Sequence, residues 1–186
     1  MRSLPLSSRL KFTAAALGLG LCITAPASAQ ASSVPLQGLV KCATTQLAVV
    51  DGTIVDAAVA TPELSTLVSL VTAAGLADAL AGPGPLTVYA PTNDAFGKVP
   101  APLLGLIGGD KALLTSVLTY HVSPGTVDPR RNVSPMKVKT LNGQTVFVGA
   151  TGSGVQVNQS LGACKGVKTK NGTVWLIDSV LLPQFR

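Results

Sequence analysis

The hydrophobic period of this chain changes once, at Pro124-Gly125, and that change limits what it can fold into. Upstream, apolar residues recur at helical spacing. Leu64, Leu67, Val68 and Val71 form one stripe, and Leu113, Leu114, Val117 and Leu118 form another. Downstream the pattern alternates. Met136, Val138 and Thr140 interleave with Lys137 and Lys139, as in strands with one wet face.

Local punctuation supports both halves. Thr61-Pro62-Glu63 places a cap, a first-turn Pro and an acid at the start of the first stripe. Gly75 interrupts that helix, residues 76–80 make a short second piece, and Gly82-Pro83-Gly84-Pro85 stops it. Residues 86–90 read as a buried strand. Thr92 caps a short helix through Phe96, Pro100 and Pro102 open another that ends near Gly108-Gly109, and Asp110 caps the second stripe. Tyr120-His121-Val122 runs on into a strand. Asn142-Gly143 and Asn171-Gly172 are favoured hairpin dipeptides, flanked by strands at 144–148, 163–169 and 173–182, with another at 155–158. Residues 41–50 fit neither period. Helices first and strands later, with one internal strand, predict an α+β fold with helices beside a mainly antiparallel sheet system. No internal repeat or linker divides it.

The N-terminus reads as an address. Arg2, Arg9 and Lys11 precede an apolar stretch at 12–23, and Ala27-Ser28-Ala29 is a small-x-small cleavage pattern. This predicts a signal peptide over 1–29, an N-terminal arm over 30–48 and one domain over 49–186. Leu21 is too large to precede a lipid-modified Cys22. Lys and Arg outnumber Asp and Glu by 14 to 8, but cleavage removes three basic residues and leaves 11 against 8, a net charge of +3. So modest a surplus argues against a nucleic-acid partner.

Charged residues are 12% and apolar ones 47% of the chain, which argues against disorder and against a long coiled coil. Outside the leader no apolar run is long enough to span a bilayer. Three Cys fit no four-ligand zinc pattern, and the single His, His121, removes most metal and triad chemistry. No cofactor is expected. After cleavage only Cys42 and Cys164 remain, and in an oxidising compartment they most simply form one disulfide. It would close a very long loop, worth roughly 4–5 kcal/mol as an upper guide.

Three segments carry a family resemblance. Thr87-Val88-Tyr89-Ala90-Pro91-Thr92-Asn93-Asp94-Ala95-Phe96 resembles the first signature box of fasciclin domains. Leu118-Thr119-Tyr120-His121-Val122 resembles their Tyr-His motif, and Gly172-Thr173-Val174-Trp175-Leu176-Ile177-Asp178-Ser179-Val180-Leu181-Leu182-Pro183 their closing box. The order and spacing resemble the small secreted mycobacterial single-domain members, which share the Cys pair. The resemblance implies a wedge of antiparallel β-strands flanked by several short α-helices, secreted or surface-exposed, acting in adhesion and protein contact. Its motif residues here are Thr87, Ala90, Pro91, Thr92, Asn93, Phe96, Tyr120, His121 and Asp178. Animal members use segments near the Tyr-His motif for integrin binding. This chain has neither an Asn-Lys-Asp-Ile-Leu-like tract nor Arg-Gly-Asp, so that property is not carried over.

Each candidate site also has a plain structural reading. His121 could act as a general base oriented by Asp94 or Asp128. No Gly-x-Ser-x-Gly elbow is present. The favoured reading is a buried imidazole that hydrogen-bonds within the fold and fixes the first box beside the Tyr-His strand. Thr92, Asn93 and Asp94 could form a binding loop, but read rather as a turn and helix cap. Asp178 reads as paired with a local donor. Arg130, Arg131, Lys137, Lys139, Lys165, Lys168 and Lys170 form a loose basic cluster. It is either a patch for acidic polysaccharide, lipid headgroups or an acidic protein, or a solvated face with edge-strand lysines. Trp175 could be core or contact residue. Asn132, Asn158 and Asn171 sit in Asn-x-Ser/Thr patterns. The expected function is a secreted, non-enzymatic module that binds an extracellular protein or polysaccharide. The alternative is a small-molecule or carbohydrate binder with a groove near His121 and Asn93. A hydrolase built on His121 ranks last.

Overall fold

A computed structural model describes Cys42 and residues 44–152 and 154–185. The expected signal peptide, including Cys22, and most of the expected arm lie outside the described residues. Helix α1 (Ile54–Val59) opens on a capping box, with Thr53 accepting from Asp56 N and the Asp56 carboxylate accepting from Thr53 N. A 3-10 turn at Pro62–Leu64 leads into α2 (Ser65–Ala74). Gly75 ends α2 in the left-handed conformation at φ 72°, and the N–H groups of Gly75 and Leu76 reach back to Thr72 O and Val71 O. Next come α3 (Ala77–Ala81), α4 (Asn93–Gly97), α5 (Ala101–Gly109) and α6 (Lys111–Tyr120). Asp110 caps α6 by accepting from Ala112 N at 2.8 Å and Leu113 N at 3.2 Å. Leu114, Val117 and Leu118 of its predicted stripe are buried.

The strands form two sheets. One holds β1 (Ala48–Val49), β2 (Leu86–Pro91), β3 (Val122–Pro124), β8 (Gly166–Lys168) and β9 (Gly172–Ile177) in the order β1-β8-β9-β2-β3. The other holds β4 (Met136–Lys139), β5 (Thr145–Ala150), β6 (Val155–Val157) and β7 (Ser160–Gly162) in sequence order, all antiparallel. The α+β class is as expected. The five-stranded sheet is mixed, however. Its central pair, β2 and β9, runs parallel with Val88 opposite Val174 and Tyr89 opposite Trp175. The first and closing boxes therefore lie side by side.

This pair separates two cores. Val88, Ala90 and Val174 face the helices and pack with Leu67, Val71, Leu114 and Leu118. Tyr89, Trp175 and Ile177 face the four-stranded sheet and pack with Val146, Val148, Val155 and Val157. Strands buried on both faces read as continuous apolar runs, which is why residues 86–90 carry no alternation. Trp175 is core, fully buried, and its indole N–H donates to Val127 O at 3.1 Å.

Four local expectations change. Sequence reasoning missed α1, although Thr53 and Asp56 stand at capping-box spacing. The Thr61 side chain caps nothing and instead donates to Ala57 O at 2.8 Å. Tyr120 ends α6 and His121 caps it, so β3 starts only at Val122. Both hairpin dipeptides mark their turns. Neither makes a two-residue turn with two positive φ angles, because among these four residues only Gly143 takes a positive φ (90°).

Asn171 does more than turn the chain. Its Oδ1 accepts from Ile54 N at 2.9 Å and from Thr169 Oγ1 at 3.3 Å. Its Nδ2 donates to Leu80 O at 2.8 Å and Gly82 O at 2.9 Å. One buried amide thus joins the start of α1, the end of α3 and the β8–β9 turn. Its Asn-x-Thr pattern is closed to modification in the folded chain, since the amide nitrogen is already used. An Asn171→Asp substitution sets a carboxylate oxygen against two carbonyls. Relative to the native chain at the same pH it should destabilise the fold by about 2–4 kcal/mol near neutral pH, a difference that shrinks toward pH 4 as the acid protonates. Urea unfolding at the two pH values checks this.

Candidate functional site

The Tyr-His motif is the place to look for chemistry, and its geometry removes the reactive atoms. His121 is 2% exposed. Its Nδ1 lies 2.8 Å from Val117 O, and its Nε2 lies 2.9 Å from Leu181 N. A carbonyl can only accept and a backbone N–H can only donate. The ring is therefore the neutral tautomer with the proton on Nδ1. Burial pushes its pKa down to about 4, against a smaller opposing effect of the Val117 hydrogen bond. Neither nitrogen is free to take a proton from a substrate.

The expected link to the first box exists, but the ring does not make it. Tyr89 N donates to the His121 main-chain oxygen at 2.9 Å. The imidazole reaches the segment after β9 instead. Asp94 and Asp128 do not orient it. Asp128 accepts from Arg130 Nε at 2.9 Å and pairs with Arg130 at 2.8 Å. Partial burial opposes its ionisation, but the Arg130 guanidinium and N–H outweigh that and hold the carboxyl below its ordinary range. Tyr120 is buried, and its hydroxyl accepts from Asn158 Nδ2 at 3.1 Å.

The first-box side chains are engaged in the fold. Thr87 donates to Gly125 O at 2.8 Å and accepts from Val127 N at 2.9 Å. Ala90 and Phe96 lie in the helical core, and Pro91 closes β2 opposite Ile177. Thr92 caps α4 by accepting from Ala95 N at 3.4 Å. Asn93 does not serve its own turn. It accepts from Thr66 N at 3.0 Å and donates to Pro62 O at 3.1 Å, which caps α2 from another element. Asp178 accepts from Leu161 N at 2.9 Å and Ser179 Oγ at 3.0 Å and pairs with Lys98 at 3.3 Å. Burial is the largest single effect and opposes its ionisation, but these donors together outweigh it and hold the carboxyl below the ordinary range.

The basic cluster does not hold together. Arg130 leaves it: the side chain is 9% exposed, donates to Thr45 O, is bound by Asp128 and stacks over Trp175 at 5.1 Å. Arg131 and Lys168 border the same cleft, while Lys165 borders another with Asp94 and Asp178. Lys170 is exposed in the β8–β9 turn. Lys137 and Lys139 share the outer face of β4, opposite Phe147 and Thr145. The expected groove near both His121 and Asn93 does not form either. His121 borders apolar cavities, and Asn93 lies in a polar cleft beside Lys165 and Asp178. Cys42 and Cys164 are joined by a disulfide across 122 positions. Among the described residues no His, Cys, Asp and Glu group could hold a metal.

A family model described as the fasciclin domain matches residues 62–183. The chain belongs to the fasciclin family. It is 35% identical to protein sll1483 of Synechocystis over 179 residues, which cover 95% of this chain and 97% of that protein. It is 41% identical over 127 residues to immunogenic protein MPB70 of Mycobacterium bovis, covering 66% of this chain and 64% of MPB70. The same identity and length relate it to cell surface glycolipoprotein MPB83 of that organism, of which 56% is covered. The chain thus spans less than two thirds of these mycobacterial relatives. Among solved structures, the FAS1 domain pair of the insect cell adhesion molecule fasciclin I matches with a TM-score of 0.53 at 18% identity, covering 64% of this chain and 45% of that one. That likeness shows the fold.

The buried imidazole gives this fasciclin domain a pH signature. The unfolded chain protonates His121 near its ordinary 6.5, and the folded chain only near 4. Between those values the unfolded state binds more protons, so stability falls as pH drops from 6.5 to 4. At about 1.4 kcal/mol per pH unit the loss amounts to roughly 3 kcal/mol. Asp56, Asp128 and Asp178 are also held low, and their contribution is lost only below about pH 4. Urea unfolding from pH 7 to 4.5 should show the slope in the native chain and not in a His121→Gln variant.

Proposed function

We propose that this fasciclin domain is a non-enzymatic interaction module that works outside the cytosol. In this reading it binds an acidic polysaccharide or an acidic protein region through the outer face of the four-stranded sheet. The carrying observation is the group Lys137, Lys139 and Phe147. Phe147 is exposed, and the Lys137 ammonium lies 5.9 Å from its ring. No ion pair among the described residues engages either lysine. An exposed ring beside two uncompensated cations suits a partner with carboxylates or sulfates set against an apolar ring face.

The closed His121 ring supports the non-enzymatic part. Small-x-small cleavage at Ala27-Ser28-Ala29 supports export with removal of residues 1–29, and the Cys42–Cys164 bond supports an oxidising destination. The name of one relative, a cell surface glycolipoprotein, points the same way. Among the described residues no single helix is long and apolar enough to cross a membrane.

Heparin and poly-glutamate serve as probes. A Lys137→Glu/Lys139→Glu double variant should keep its melting temperature within about 2 °C, since both side chains are exposed. It should bind the probes about tenfold more weakly, and native binding should fall as salt rises. Salt-insensitive binding, or full retention in the variant, overturns the assignment of this face.

A further inference from the structure

An apolar cavity of about 80 Å³ lies between the helices and the five-stranded sheet. Val55 and Ala58 of α1 and Leu80 of α3 roof it, Val68 and Val71 of α2 form a side, and Val174 of β9 belongs to the floor. It is entirely separate from the Lys137–Phe147 face proposed above. Three lining side chains carry polar atoms, and all three are already bonded to main chain. Thr72 donates to Val68 O at 2.9 Å and Thr119 to Thr115 O at 2.7 Å, and both nitrogens of His121 are occupied. The hydroxyl protons and both imidazole nitrogens are thus spent, and the lining offers no free side-chain donor, which disfavours a sugar.

We propose that this cavity takes the end of an unbranched aliphatic chain. Lining chemistry gives the class and volume gives the shape. An engineered apolar cavity of about 150 Å³ admits benzene. A space near half that size is too small for a ring and suits a narrow alkyl end. The roof supplies an entrance. Helix α3 has no fully buried residue and no side-chain cap at its start. Its far end and the start of α1 hang on the same Asn171 amide. The α3 half of the roof is thus pinned at its far end and has no buried side chain of its own, whereas α1 is anchored by buried Ile54 and Ala57. Thr72, Ala79 and Leu141 are exposed along its rim. Asp56 and Asp78 are exposed on the two roof helices, so an uncharged head group suits the site better than a carboxylate.

The test is a methyl NMR titration of the full chain with 1-butanol, 1-hexanol and 1-octanol, and with benzyl alcohol as the ring comparator. Saturable shifts are expected at the methyls of Val68, Val71, Leu80 and Val174. Each methylene that enters should tighten binding about fourfold, the factor that corresponds to about 0.8 kcal/mol per buried CH2. Benzyl alcohol should bind at least about tenfold more weakly than 1-hexanol, since a ring does not fit the volume. Two variants fill the space from different helices, Ala58→Leu and Val68→Phe. Each that keeps a dispersed folded spectrum should lose at least about tenfold in affinity for 1-octanol, as occupied volume leaves no room for the chain. Shifts that never saturate, shifts confined to exposed methyls such as Val133 and Leu161, or native-like binding by a filled variant overturn the proposal. If neither variant folds, the native titration decides alone.

Discussion

Two main-chain hydrogen bonds hold the imidazole of His121, and much of the molecule is arranged around them. Val117 O belongs to α6, and Leu181 N belongs to the segment that follows β9. The main-chain oxygen of the same residue accepts from Tyr89 N in β2. One residue therefore joins all three fasciclin signature segments. This arrangement needs the ring neutral, because a proton on Nε2 would face the Leu181 N–H. Burial supplies that condition by disfavouring the charged form. The group best suited to acid–base chemistry is thereby turned into a structural pin.

The same economy runs through the other motif residues. Thr87, Thr92, Asn93 and Asp178 all direct their polar atoms at main-chain groups of the fold. The parallel pair of β2 and β9 is buried on both faces, so its side chains go to two cores and none to solvent recognition. The two surfaces proposed here for contact with other molecules are the outer face of the four-stranded sheet and the apolar cavity beside α3. The two differ in chemistry, one cationic and aromatic, the other purely apolar.

Much of this was legible in the sequence because it depends on neighbours. The Asp110 cap, the Gly75 stop, the Gly-Pro run before β2 and the stripe of α6 all act within a few residues. The Cys42–Cys164 disulfide was legible because the expected cleavage would leave only those two thiols. Features that depend on distant partners were hidden. Asn93 and Asn171 look like ordinary turn residues, yet one caps α2 and the other joins elements more than 80 positions away in sequence. The parallel pairing of β2 with β9 leaves no local trace. Arg130 and Arg131 are indistinguishable as letters, and only the fold places one on Trp175 beside Asp128 and the other in solvent.

The state of the His121 ring is the most direct test of this account. Long-range 15N–1H NMR of the full chain reports which ring nitrogen carries the proton. A single neutral ring with its proton on Nδ1, unchanged from pH 7.5 down to about 5, is the result expected from a folded pKa of about 4. A ring that titrates near 6.5, or one with its proton on Nε2 and Nδ1 free, would contradict the pin and reopen the possibility of catalysis.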